Sequence, residues 1–223
     1  MQRRIIAIDG PSASGKSTVA RRVAEALRRI YVDSGAVYRG ITWKVLREKG
    51  DPANAPEVIR LLHLMRIEFR VDSGAVRMCI DGEDPGDEIR SPEVHERVSD
   101  TAAIPEVRRE VSRHLREMTR FGDLVMEGRD IGSVVFPDAD FKFYLDASAE
   151  ERARRRHREF AGGRASVGVG DVMNSLSRRD AKDSGRTTAP LTVAPGATVL
   201  DTTKMGIDQV VNAILGKTRK EDA

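Results

Sequence analysis

The chain has 223 residues, a formal net charge of +3, a pI near 9.2, 39% hydrophobic residues and one cysteine. That length fits one large domain, or one core with inserted subdomains, and is enough to bury a real core. The lone cysteine, Cys79, excludes an intramolecular disulfide framework and fits a reducing compartment; no run approaches the ~18 apolar residues of a membrane span, and +3 is too small a charge to argue for nucleic-acid binding. Met1-Gln2-Arg3-Arg4 runs straight into an apolar segment and leaves no room for a secretory leader. A cytoplasmic protein is expected, with no membrane or nucleic-acid partner. The positive charge is carried by 30 Arg against 8 Lys. Arginine is a planar, always-charged fork suited to phosphate oxygens, although most of these thirty are expected on solvated faces.

Ile5-Ile6-Ala7-Ile8 predicts a buried parallel strand. It runs into Asp9-Gly10-Pro11-Ser12-Ala13-Ser14-Gly15-Lys16-Ser17-Thr18, which has the spacing G-x-x-x-x-G-K-S. An amphipathic helix follows, with Val19, Ala20, Val23, Ala24 and Leu27 on one face. Phosphate chemistry explains the spacing. Glycines let the backbone wrap a polyphosphate, and its charge then faces a row of N–H groups at a helix N-terminus. Gly10 through Thr18 would hold a nucleoside triphosphate, with Lys16 on the β/γ-phosphates and the Ser17 hydroxyl on Mg²⁺.

Ile30-Tyr31-Val32-Asp33 predicts a second strand, leading into a helix from Ser34 to about Glu48. Loop signals follow at Gly50-Asp51-Pro52 and Asn54-Ala55-Pro56, then a helix bearing Val58, Leu61, Leu62 and Met65. The period changes to two over Ile67–Val71 and Val76–Ile80, which predicts a small inserted antiparallel sheet. From Ser91-Pro92-Glu93 a helical region runs to about Arg120, interrupted near Ala103-Ile104-Pro105. Leu124–Glu127, Phe141–Asp146 and Thr198–Asp201 complete five core strands. Between the last two, Glu150–His157–Arg158 is an arginine-rich helix and Ala161–Gly170 a mobile glycine-rich stretch. A helix around Val172–Ser177 and a final one over Ile207–Leu215 are expected, with a frayed tail from Lys217. Strands alternating with helices imply an α/β fold with a parallel sheet covered on both faces.

In such sheets ligands sit beyond the carboxyl ends of the strands. Asp33-Ser34-Gly35, Tyr38-Arg39 and Arg129-Asp130 then share a rim with the phosphate loop, where Arg39 and Arg129 could grip a second anion. The arginine-rich helix and glycine stretch have the makings of a lid that excludes water while phosphate passes to an acceptor. No guanine-reading N-K-x-D segment is present, so the pattern is that of a kinase. Two alternatives stand beside a nucleoside-monophosphate kinase: a kinase for another small acceptor, such as a sugar or shikimate, and an ATP-switched regulatory or nucleic-acid module. The second would want aromatics interleaved with its cations, and the stretch 152–158 has none.

Taken together, Gly10–Thr18, Asp33-Ser34-Gly35-Ala36-Val37-Tyr38-Arg39, Glu127-Gly128-Arg129-Asp130-Ile131-Gly132 and Arg179-Asp180-x-x-Asp183-Ser184-x-Arg186 resemble the bacterial-type cytidylate kinases, over nearly the whole chain. The resemblance implies a five-stranded parallel P-loop kinase core (1–40, 121–150, 187–216), a nucleoside-monophosphate-binding insert with a small antiparallel sheet (about 41–120) and an Arg-rich lid (about 151–186). It implies transfer of the ATP γ-phosphoryl group to CMP or dCMP with Mg²⁺; a monomer is expected, since no exposed heptad argues otherwise. Carried over position by position, Arg39 and Arg129 grip the acceptor phosphate with Arg179 assisting. Ser34, Ser99, Arg108, Asp130 and Arg186 belong with cytosine, Asp183 with the sugar hydroxyls and Tyr38 with the ribose wall, and Gly35 belongs to the same CMP site. Lys16, Arg129 and lid arginines around Arg152, Arg155 and Arg156 neutralise the transferring group, with Arg155 and Arg156 assigned to the catalytic set. Two departures stand out. The family usually caps the first helix with a left-handed glycine, where this chain has Arg28-Arg29, so that helix must end differently or strain locally. The lid stretch is also richer in glycine than the family pattern.

Overall fold

A computed structural model describes residues 3–161 and 168–220. Its framework is a seven-stranded sheet in the order β3-β4-β2-β5-β1-β6-β7. The strands are β1 (Ile5–Asp9), β2 (Ile30–Asp33), β3 (Ile67–Asp72), β4 (Ala75–Ile80), β5 (Leu124–Gly128), β6 (Phe141–Asp146) and β7 (Thr198–Asp201). All pairs are parallel except β3 with β4. The helices are α1 (Lys16–Leu27), α2 (Ser34–Arg47), α3 (Ala55–Leu64), α4 (Pro92–Thr101), α5 (Pro105–Glu117), α6 (Ala149–Ala161), α7 (Val169–Ser184) and α8 (Ile207–Lys220).

Side chains alternate across the central strands and feed two cores. Ile6, Ile8, Val125, Phe143 and Leu145 pack with Val19, Val23, Val211 and Ile214 of α1 and α8. Ala7, Val32, Leu124 and Met126 face the other way, onto Val37, Ile41, Val98, Val107 and Leu115 of α2, α4 and α5. Burial on both faces explains why β1 and β5 read as unbroken apolar runs.

The structure corrects three expectations. The hairpin of β3 and β4 is not a separate small sheet. Its turn meets the free edge of β2, where the Tyr31 N–H donates to the Gly74 carbonyl at 2.9 Å, and Tyr31 pairs with Ala75, so the core sheet is extended by two strands. Edge N–H groups of a central strand need acceptors, and the hairpin supplies them. The helix expected to stop near Ser177 continues as α7 to Ser184, because nothing before Gly185 breaks it. Likewise α8 runs past Leu215 to Lys220, with Thr218 buried inside. The glycine stretch expected to be mobile falls, from 162 to 167, outside the described residues.

The cap that lacks glycine is resolved by an arginine. Arg28 adopts φ 52°, ψ 39°; its N–H donates to Glu25 O at 3.1 Å, and the Arg29 N–H to Ala24 O at 2.8 Å. These are the paired bonds of a Schellman end, made at a left-handed residue that carries a Cβ. No helix among the described residues is long and apolar enough to cross a membrane.

Candidate active site

The donor side is built by local backbone geometry. At Gly10, φ is 147° and a Cβ would stand 2.1 Å from the Leu145 carbonyl oxygen, so only glycine lets the loop leave β1 beside β6. Ala13 (φ 61°) and Gly15 (φ 91°) take the left-handed region, and no side chain caps the N-terminus of α1. Its first N–H groups therefore face the loop interior. Lys16 folds back over the loop, its Nζ donating to Pro11 O at 2.6 Å and Ser14 Oγ at 3.3 Å. Burial, then the neighbouring Arg129, brings its pKa down to about 7. The Ser17 hydroxyl donates to Glu127 Oε1 at the end of β5.

The arginines of α6 do different work from one another. Arg155 donates to Ser14 O at 3.2 Å, Thr202 Oγ1 at 3.1 Å and Thr202 O at 2.6 Å, and its Nε to Glu151 at 3.0 Å. It clamps the loop from behind and does not line the cleft. Arg152 donates to Ala147 O, Ser12 O and Asp180. Arg156 reaches the cleft, with Nη2 3.3 Å from Ser12 Oγ.

Against this loop opens a cavity of about 780 Å³, counting the space at its open mouth. Its walls hold Ser34, Gly35, Tyr38, Arg39, Ser99, Arg108, Arg129, Asp130, Arg179, Asp183 and Arg186, together with Ser12, Ala13, Lys16 and Ser17 of the loop. Every residue assigned to the acceptor site from sequence is thus brought to one wall or another. The elements converge because β2 and β5 end side by side. Asp33 closes β2 and caps α2 by accepting from Ala36 N at 3.0 Å, while α2 carries Tyr38 and Arg39 inward. Asp9 ends β1 and accepts from the N–H groups of Ile131 (2.9 Å) and Gly132 (2.7 Å), pinning the loop that presents Arg129 and Asp130. Burial raises the Asp9 pKa to about 6 even with both bonds in place.

The charges form closed pairs. Arg108 Nη2 donates to Asp130 Oδ2, with both side chains almost fully buried, and Arg108 Nη1 to Ala102 O at 3.1 Å. The same guanidinium lies 5.4 Å from the Tyr38 ring centroid. Arg129 Nε donates to Asp183 Oδ2 at 3.0 Å, and Arg186 stands 3.6 Å from the other Asp183 oxygen. Burial would raise the Asp183 pKa, but Arg129, Arg186 and Arg179 outweigh it and hold the carboxylate below its usual range. Asp33 is held low in the same way, by Arg39 and Arg90 against burial. Arg179 is pulled down to about 10 by burial and the adjoining Arg129. Among the described residues, four buried guanidinium nitrogens in this cavity (Arg39 Nε, Arg108 Nε, Arg179 Nε and Arg186 Nη2) have no hydrogen-bond partner. Buried donors of this kind normally find an acceptor, and a bound anion or base edge supplies one.

Asp9, Asp33, Glu127 and His95 have no role assigned from the sequence. Asp33 and Glu127 stand inside the quoted motifs, and a carboxylate at the carboxyl end of a parallel strand was the available signal. His95 stood alone on a predicted helix with nothing to single it out, yet it lines the cavity.

Known proteins resemble this chain over nearly its whole length. A family model described as cytidylate kinase matches residues 6–220. The chain is 43% identical over 215 residues to the cytidylate kinase of Caldanaerobacter subterraneus subsp. tengcongensis, covering 96% of this chain and 94% of that protein. It is 42% identical to the cytidylate kinase of Limosilactobacillus reuteri over 220 residues, covering 97% and 96%. Among solved structures, shikimate kinase from Bacteroides thetaiotaomicron aligns with a TM-score of 0.50 at 12% identity, covering 98% of this chain and 99% of that one, a likeness of fold alone. On a sequence match that covers residues 6–220, the chain belongs to the cytidylate kinase family.

Proposed function

We propose that this chain transfers the γ-phosphoryl group of ATP to CMP or dCMP, giving ADP and CDP or dCDP, by direct in-line displacement. The observation that carries the reading is one cavity in which a phosphate loop faces the buried Arg108–Asp130 pair and the Arg129–Asp183–Arg186 cluster. The attacking oxygen belongs to an ionised phosphate, so no general base is required and rate comes from positioning and charge neutralisation. Arg39, Arg129 and Arg179 hold the acceptor phosphate. Asp183 takes the sugar hydroxyls and Tyr38 flanks the ribose. Asp130 accepts from the exocyclic amine of cytosine, while Arg186, Arg108, Ser99 and Ser34 complete its edge beside Gly35. Uracil would turn a carbonyl toward Asp130, costing roughly 1–3 kcal/mol per unpaired group.

Lys16 and Arg156 neutralise the transferring group on the donor side. Arg155 supports the loop in this reading and does not touch phosphate. A metal ion fits the donor set: the Ser17 hydroxyl and Glu127 carboxylate are hard oxygens, the kind Mg²⁺ takes alongside phosphate and water. Bound there with ATP, Mg²⁺ would supply positive charge to the β- and γ-phosphates. In this reading residues of about 41–120 form the acceptor-binding insert and about 151–186 a lid. The enzyme works as a cytoplasmic monomer, a placement supported by its single cysteine.

The test is a coupled ADP-release assay with ATP and Mg²⁺ against CMP, dCMP, UMP, AMP and GMP. Activity concentrated on CMP and dCMP supports the reading. Activity on none of the five rules it out and points to another small acceptor.

A further inference from the structure

His95 stands on α4 one turn before Ser99, on the face that also carries Val98 and Ala102, all of which line the cavity. It also lines a second cleft that opens along Gly15, Thr18, Arg21 and Arg22 on the outer side of the phosphate loop. Among the described residues, seven line both: Ala13, Lys16, Ser17, Asp33, Arg39, His95 and Arg156. This set marks the seam between the donor and acceptor sides. The His95 Nδ1 is buried and makes no hydrogen bond among the described residues.

The surroundings define what this ring can bind. Four arginines from four elements line these clefts with it: Arg39 on α2, Arg156 on α6 and Arg179 on α7 in the first, and Arg90 of the 3₁₀ turn Gly86–Arg90 in the second. Burial, then those cations, pushes the imidazole pKa down to about 3, so the ring is neutral at neutral pH. A neutral imidazole has one acceptor and one N–H donor, whereas arginine has donors only. One ring nitrogen can therefore accept from a neighbouring guanidinium, whereas the N–H needs an acceptor that the arginines lack. An oxyanion drawn in by the four cations is that acceptor.

We propose that His95 is a phosphate-contacting residue of the acceptor site, donating its Nδ1–H to a non-attacking oxygen of the bound nucleoside monophosphate. The proposal rests on reading the cavity as a nucleoside-monophosphate site. It adds to that reading a neutral donor on α4, placed where the acceptor phosphate meets the donor side. A neutral donor there adds a directed bond without a fifth positive charge among the arginines.

Calorimetric titration with CMP and, separately, with cytidine tests the contact. Expected is a loss of about 10- to 100-fold in CMP affinity for His95→Ala, the range of a hydrogen bond to a charged group, with cytidine affinity changed less than twofold. His95→Asn, which returns an N–H near the Nδ1 position, should recover most of the loss, and both variants should bind ATP as the wild type does. In nitrogen-resolved NMR of the wild type, CMP but not cytidine should shift the His95 ring resonances, identified by their absence from His95→Asn. Equal losses for CMP and cytidine, or an unshifted ring with CMP bound, would overturn the proposal while leaving the cavity's reading intact. A wild type that binds ATP but not CMP would overturn both.

Discussion

The two halves of the cleft are built on opposite plans. The donor half is nine consecutive residues, Gly10 to Thr18, shaped by backbone torsions at Gly10, Ala13 and Gly15 and by bonds that close within the segment, such as Lys16 Nζ to Pro11 O. The acceptor half has no such segment. Its pairs join residues far apart in sequence: Arg108 to Asp130 links α5 with the loop after β5, and Arg129 to Asp183 links that loop with α7. A local site can fail in chemistry while its fold stands. A site assembled from cross-element ion pairs ties affinity to stability, because each pair holds two elements together in a buried setting.

Substitutions in each half sharpen that contrast. Lys16→Ala should lower turnover by roughly 10³- to 10⁵-fold, the range for removing one cation from a transferring phosphoryl group, with little change in melting temperature. A coupled ADP-release assay beside a thermal melt reads both, and a large stability loss would blur the distinction. Asp130→Ala leaves the Arg108 guanidinium buried without its carboxylate. We expect roughly 3–5 kcal/mol of lost stability in denaturant titration, weak CMP binding, lost discrimination against UMP and near-normal ATP affinity. An Asp130→Ala protein that phosphorylates CMP normally would remove Asp130 from the site.

Asp9 joins the halves, ending β1 before the phosphate loop and accepting from the backbone that presents Asp130. Its folded pKa, about 6, lies above the unfolded value, so the folded state holds the extra proton between about pH 4 and 6. Its contribution is therefore fullest below pH 4 and is lost as pH rises through 6, a swing of roughly 3 kcal/mol. Asp9→Asn cannot titrate, so the stability difference between the two proteins should slope across that window and flatten above it. A difference that is flat from pH 4 to 7 would contradict the buried assignment. The smallest effect is expected outside the cleft. Arg28→Gly relieves a left-handed residue at the end of α1 and should raise stability by roughly 0.5–1 kcal/mol without altering either substrate affinity.

The same contrast explains what could be read in advance. Gly10 to Thr18 was legible because its function is carried by spacing and by glycine, which act within a few residues. Of the acceptor residues, those after β2 and β5, Arg39 and Arg129 above all, were marked by the strand ends, whereas Ser99, Arg108, Arg179, Asp183 and Arg186 were legible only through resemblance. Nothing in the helix of Arg108 marks it as the partner of Asp130, 22 positions on. His95 had no signal at all, since one histidine on a polar helix is ordinary and its four arginine neighbours come from four other elements. Arg152, Arg155 and Arg156 look alike in sequence, and only the helix rotation separates the loop clamp from the residue that reaches the cleft.

By itself the sequence determined the strand-and-helix alternation, the two-sided burial of β1 and β5, and the phosphate loop, because each follows from short-range periodicity or torsional limits. The tertiary structure decided that β3 and β4 extend the main sheet, because the open edge of β2 supplies hydrogen-bonding groups that no local pattern reveals. It also decided which charges are paired and which guanidinium nitrogens remain for a ligand. Ion pairing depends on distances set by how the elements pack, and those distances are not written in the order of residues.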